Sequence, residues 1–199
     1  MLLMEESAVP SAALPLAEFK AHLRLGTGFA DDDIQDPVLA GFLRAALAAI
    51  EGRTGKVLIE RDFSWVLHDW QDATGQALPV APVGEILSLT LRDRADEEEV
   101  IDPALYRLER DAHRPVLRPA GACLPMVPTG GVAEIGFRAG YGAVWGDLPA
   151  DLGQAVLLLA AHYYEHRFET ALGEGCMPFG VASLIERYRK VRLLGGGAR

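Results

Sequence analysis

Apolar positions change their period twice along the chain. Leu16, Phe19 and Leu23 recur at intervals of three and four behind Pro15, which predicts a short amphipathic helix within 14–25, stopped by Gly26. Asp36-Pro37 reads as an N-cap followed by the first helical residue, and Val38, Leu39, Phe42, Leu43, Ala46, Leu47 and Ile50 continue one stripe towards Thr54. Gly55 is placed to be its left-handed stop, with Val57-Leu58-Ile59 leaving in extended form.

From there to about Gly142 the period falls to two. Phe63, Trp65 and Leu67 alternate with Ser64, Val66 and His68, and further strands are predicted at 85–92, 105–109, 115–118 and 132–138, separated by Gly, Pro and Asp turns. Pro79 and Pro82 remove backbone donors, which assigns that stretch to an edge or an extended connector. Helical spacing resumes behind Pro149 with Leu152, Val156, Leu159 and Tyr163, reaching about Thr170. After a glycine-bearing break at 172–178, a last amphipathic segment is expected over Val181–Leu194, followed by a glycine-rich end.

The order helix, helix, strands, helix, helix predicts an α+β fold: a helical bundle formed by the N- and C-terminal helices, with a central β-rich insertion. A single domain is expected over 1–199. It comprises N-terminal helices at 14–55, the insertion at 57–142, a core helix at 149–171 and a C-terminal segment at 178–199.

With 50% of its 199 residues hydrophobic and 24% charged, the chain has the composition of a folded protein. The longest apolar run, Ala155–Ala161, is too short to cross a bilayer, so a soluble, unexported protein with no membrane partner is expected. Cys123 and Cys176 form neither a CxxC pair nor a disulfide framework, and are expected to be free thiols used as small buried hydrophobes.

Charge changes the picture more than composition does. The formal net charge is -9, but residues 182–199 hold five bases against one acid, a local +4 that leaves -13 on the remainder. An acidic body repels phosphates, which argues against a dedicated DNA binder.

Candidate chemistry is sparse. His162 and His166 lie four apart, sharing one helix face, with Glu169 three residues further on; this spacing suits a zinc ion, but Tyr163 stands where the metalloprotease pattern requires Glu. Gly55-Lys56 fails as a phosphate loop because Ile50 replaces the first glycine and Val57 the hydroxyl residue. Asp31-Asp32-Asp33 reads as a solvated turn, and Asp96-Glu97-Glu98-Glu99 as a hairpin tip kept soluble by charge, with a lumen-facing or partner-facing loop as the alternative. His22, His68 and His113 fall in unrelated segments, and Gly140-Tyr141-Gly142 reads as a strand-to-loop turn. No catalytic residue, metal or cofactor is assigned.

Several phrases then coincide, in order, with one family: Leu16–Arg24, Ile50–Lys56 (IEGRTGK), Pro82-Val83 before a strand, Phe137–Gly142, the loop into Leu148-Pro149, Gln154–Glu165 and Pro178–Arg192. Together they resemble the head-tail connector, or adaptor, family of long-tailed phages, also found in gene transfer agents. The resemblance implies a structural protein, not an enzyme, that assembles as a homo-oligomeric ring, usually of twelve, at the head-tail junction of a particle assembled in the bacterial cytoplasm. It implies as partners the portal protein, a tail-proximal stopper or completion protein, and double-stranded DNA passing through the channel without sequence recognition. The C-terminal segment is the expected portal-docking element, with Leu184, Ile185, Tyr188, Leu193 and Leu194 as apolar anchors and Arg187, Arg189, Lys190 and Arg192 pairing with acids. A negatively lined channel would give the acidic body a use. A tail-side completion protein is the alternative, followed by a small metal-dependent hydrolase using His162 and His166.

Overall fold

The computed structural model describes residues 2–25, 35–167 and 177–189. Among them are four α-helices, here α1 (Leu16–His22), α2 (Asp36–Thr54), α3 (Ala150–Glu165) and α4 (Phe179–Ile185). Eight strands accompany them: β1 (Leu2–Glu5), β2 (Arg61–Leu67), β3 (Gln76–Ala77), β4 (Val83–Arg92), β5 (Glu98–Val100), β6 (Tyr106–Glu109), β7 (Val116–Pro119) and β8 (Val132–Ala139).

The expected helical bundle with a β insertion is overturned by how these strands are used. They build two antiparallel sheets, one of five strands in the order β1-β2-β8-β4-β5 and one of three in the order β3-β7-β6. The protein is β-rich, and its largest sheet takes an edge strand from residues that precede the first helix. That strand, Leu2–Glu5, escaped the sequence reading because it is short and exposed throughout, with no alternation to mark it. β3 was missed because it is only two residues long, and β5 because it is short, acidic and exposed.

Alternation governs the strands that were expected. Phe63, Trp65 and Leu67 of β2 face Phe137, Ile135 and Ala133 of β8 in register, and all six are buried. The rings of Phe63 and Phe137 stack with centroids 5.6 Å apart. Leu89, Leu91, Tyr106 and Leu117 complete this apolar layer, which packs the small sheet over one face of the large one.

The helices form a separate apolar layer. Leu39, Leu43, Ala46, Leu47 and Ile50 of α2 pack with Leu152, Val156 and Leu159 of α3, and with Val181 and Ile185 of α4. Gly55 ends α2 with φ 67°, its N–H donating to the Glu51 carbonyl at 2.8 Å, as the glycine position predicts. At the other end Asp36 is the first helical residue and makes no capping bond; its carboxylate pairs with Lys20 of α1 at 2.5 Å. Leu58 and Ile59 belong to the helical layer while Val57 belongs to the sheet layer, so this short stretch joins the two.

Candidate functional site

The C-terminal segment begins behind Pro178, which starts α4, and continues past Ile185 as a 3-10 turn over Glu186–Tyr188. Val181 and Ile185 are completely buried against the helical layer, Tyr188 is buried and Leu184 is half-buried. The Tyr188 hydroxyl donates to Asp151 Oδ1 at 2.7 Å, in the first turn of α3. Arg187 lays its guanidinium over the Tyr188 ring, 4.7 Å from the centroid, and brings Nη2 to 2.8 Å from Asp151 Oδ2. Arg189 turns back to Glu186 at 3.1 Å.

The predicted docking residues therefore divide. Ile185 and Tyr188 root the segment in the protein's own core, Arg187 and Arg189 lie exposed beside local acids, and Leu184 is shared between core and surface. Lys190, Arg192, Leu193 and Leu194 lie outside the described residues.

The charge state of this root is set by burial. Tyr141, partly buried beside it, has its phenol pushed up to about 12, first by desolvation and then by the neighbouring Tyr188 and Asp151. Burial likewise raises Tyr188, with Asp151 adding to the shift and Arg187 opposing it. Arg187 is held further above its ordinary range by its hydrogen bond with the Tyr188 hydroxyl.

The histidine pair is real but incomplete. The rings of His162 and His166 lie 4.5 Å apart, centroid to centroid. His22, which nothing in its own segment linked to them, lines a groove with His162, Glu165, Pro178 and Val181. No group of three His, Cys, Asp or Glu side chains among the described residues is arranged to hold a metal ion, and Glu169 lies outside them. Nor is any helix among the described residues long and apolar enough to cross a membrane.

Other expectations shift. Cys123 is exposed rather than buried, in the loop before the buried Leu124, and Cys176 lies outside the described residues. Lys56, rejected as a phosphate ligand, is buried, with Nζ facing the Ala112 carbonyl and lying 3.1 Å from His113 Nδ1. It fastens the 110–114 hairpin tip to the end of α2, a role that only the tertiary fold reveals. The acidic run is partly a tip: Asp96 takes a left-handed turn with φ 66°, whereas Glu98 and Glu99 enter β5. Asp31-Asp32-Asp33 lies outside the described residues.

Solved structures decide the family. Over 98% of its length, the chain is 55% identical to a chain in the neck of an empty gene transfer agent particle computed with C6 symmetry, with 99% of that chain covered and a TM-score of 0.89. This chain belongs to the head-tail connector family found in gene transfer agents. A chain of the native gene transfer agent virion is 54% identical over the same 98%, covering 99% of that chain, with a TM-score of 0.86. A third, from the native neck computed with C12 symmetry, is 50% identical over 98% of this connector and 99% of that chain, with a TM-score of 0.83. No family model matches the chain, and no curated protein does.

In this connector the Tyr188–Asp151 root joins the C-terminal segment to the first turn of α3. It orients the last described residues of the chain and leaves Arg187 and Arg189 on the surface.

Proposed function

We propose that this protein is a structural head-to-tail connector that forms a ring at the neck of a gene-transfer-agent or phage particle and lets double-stranded DNA pass without reading its sequence. The observation that carries this reading is 50–55% identity to neck and virion chains over 98% of the sequence. Ring assembly is supported by the cyclic symmetry of the two similar necks, C6 and C12. The role is that of a part and not an enzyme, as those neighbours are components of a particle. The net charge of -9 favours DNA sliding over DNA retention.

The C-terminal segment is the portal-docking element in this reading, with its two halves doing different work. Val181, Ile185 and Tyr188 hold the root. Leu184, Arg187 and Arg189, followed in sequence by Lys190, Arg192, Leu193 and Leu194, meet the portal.

Co-purification with the portal protein tests this with three chains: full length, ending at Arg189, and ending at Gly180. The full chain is expected to join the portal in a ring-sized complex. The chain ending at Arg189 should keep the thermal stability of the full protein but lose portal binding, while the one ending at Gly180 should lose both. Full portal binding by the chain ending at Arg189 would remove the docking role from residues 190–199. Binding to tail proteins alone, with none to the portal, would make the protein a tail-side completion factor.

A further inference from the structure

The β6–β7 hairpin is a basic part of an acidic protein. Over 107–118 it carries Arg107, Arg110, Arg114 and Arg118 against Glu109 and Asp111, a net +2 in a chain whose formal charge is -9. Both acids are already engaged. Glu109 holds Arg118 Nε at 2.8 Å. Asp111 accepts the backbone N–H groups of Arg114 and His113 at 2.6 and 2.7 Å, and these bonds, with smaller contributions from the His113 and Lys56 charges, hold its carboxyl below the usual range. Arg107, Arg110 and Arg114 are exposed, and none of them makes an ion pair among the described residues.

The fold holds these charges together against their repulsion. Tyr106, Leu108 and Leu117 turn to the apolar layer, which leaves Arg107 directly across from Arg118 on the outer face, a like-charged pair that opposes strand pairing. The tip is fixed from beneath: Arg110 Nη2 donates to the Gly84 carbonyl at 2.8 Å, and buried Lys56 reaches the Ala112 carbonyl. A carbonyl is neutral, so the charge on Arg110 stays uncompensated. Between Arg107 and Arg118 no large apolar side chain is exposed. Protein interfaces draw on buried apolar anchors at their centre, whereas a phosphate backbone is held by charge and hydrogen bonds. The hairpin offers the second kind of contact and lacks the anchors for the first.

We infer that this hairpin is where the protein touches duplex DNA, with Arg107, Arg110 and Arg114 meeting phosphates of the passing backbone. This deepens the proposed passage of DNA and rests on it. Guanidinium groups bind phosphate oxygens whatever the base, so the contact carries no sequence information. A few such contacts on a body of net negative charge guide the duplex and keep retention weak. A phosphate beside Arg107 also offsets its repulsion with Arg118, which nothing else on the outer face does for Arg107 at ion-pair distance.

Photo-cross-linking in purified particles tests the contact. Ala112, exposed at the tip between Arg110 and Arg114, is replaced by a benzophenone-bearing amino acid, and DNA-filled particles are irradiated at rest and during DNA release. The chain should form adducts with DNA. Adding Arg107→Gln, Arg110→Gln and Arg114→Gln together should cut their yield at least about fivefold. Arg24→Gln, Arg53→Gln and Arg94→Gln, which remove the same charge from exposed sites elsewhere, should leave it unchanged. Equal falls in the two triple variants would overturn the role of the hairpin. Adducts with protein and none with DNA would overturn the DNA contact and give the hairpin an acidic protein partner. Particles that contain the probe and yield no adduct would overturn the contact and leave the neck assignment standing. Absence of the unsubstituted chain from purified particles would overturn the neck assignment, and the contact with it.

Discussion

The carboxylate of Glu51, near the end of α2, accepts from both Nη groups of Arg61 at the start of β2, at 3.0 and 2.7 Å. The same carboxylate accepts the Leu58 N–H at 2.7 Å, and Arg61 Nε lies 2.8 Å from Glu5 of β1. One ion cluster thus ties the helical layer to the two strands at the edge of the sheet. Burial works against the charge on Arg61, but Glu51 and Glu5 outweigh it and hold the guanidinium further above its ordinary range.

Removing one partner from such a pair strands the other. The side chains of Arg61 and Glu51 are only 7% and 14% exposed, so Glu51→Ala should lower stability by about 3 kcal/mol. Arg61→Met, which keeps the stem and removes the charge, should cost less. Urea denaturation of the two single variants and the double variant measures the coupling. Additive losses would show that the pair is not a unit.

At the base of the C-terminal segment, Tyr188→Phe deletes the hydroxyl bonded to Asp151 and keeps the ring. The expected loss is about 1 kcal/mol of stability. Amide exchange should quicken across 181–188 and stay unchanged in β2 and β8, because the segment opens locally before the sheet does. Uniform acceleration across the protein would contradict that order.

What the sequence disclosed follows from how local each signal was. The stripe of α2 and the alternation of Phe63, Trp65 and Leu67 are repeated patterns within one segment, and both were legible. β1 has four exposed residues and no alternation, so only its pairing with β2 defines it, and with it the balance between sheet and helix was missed. Ile185 and Tyr188 were legible as apolar positions, but the sequence did not disclose that they face α3. Tyr188 needs Asp151, 37 residues earlier, to declare its role, and His22 reaches His162 only through the packing of α1 on α3.

Alkaline pH should loosen the same root. The Tyr141 phenol is pushed from 10 up to about 12, so the folded protein holds its proton more tightly than the unfolded chain does. Its contribution is therefore fully present below about pH 10 and is lost as pH rises through 12. Urea midpoints of the wild type should fall over that interval, and Tyr141→Phe should flatten this part of the slope. Absorbance titration of the wild type against Tyr141→Phe should find that the phenol lost from the variant ionises only as the pH approaches about 12. An unchanged slope in Tyr141→Phe would place the alkaline loss elsewhere.

Gly140 supplies a sharper steric test, because it sits where β8 leaves the sheet and passes the backbone of β2's approach. Its φ of 141° is one that side-chain-bearing residues rarely adopt, and an added Cβ would collide with the backbone N and Cα of Glu60. Backbone atoms cannot swing aside as a flexible side chain can. Relief requires moving the 59–61 strand entry, which also carries Arg61 towards Glu51 and Glu5. Gly140→Ala should therefore cost about 3 kcal/mol. Gly41, exposed at the middle of α2 with open space around its Cα, is the control: Gly41→Ala should be neutral or stabilising by up to about 1 kcal/mol. Thermal unfolding of the two variants side by side checks both signs, and a tolerated alanine at Gly140 would mean that the Glu60 backbone yields freely.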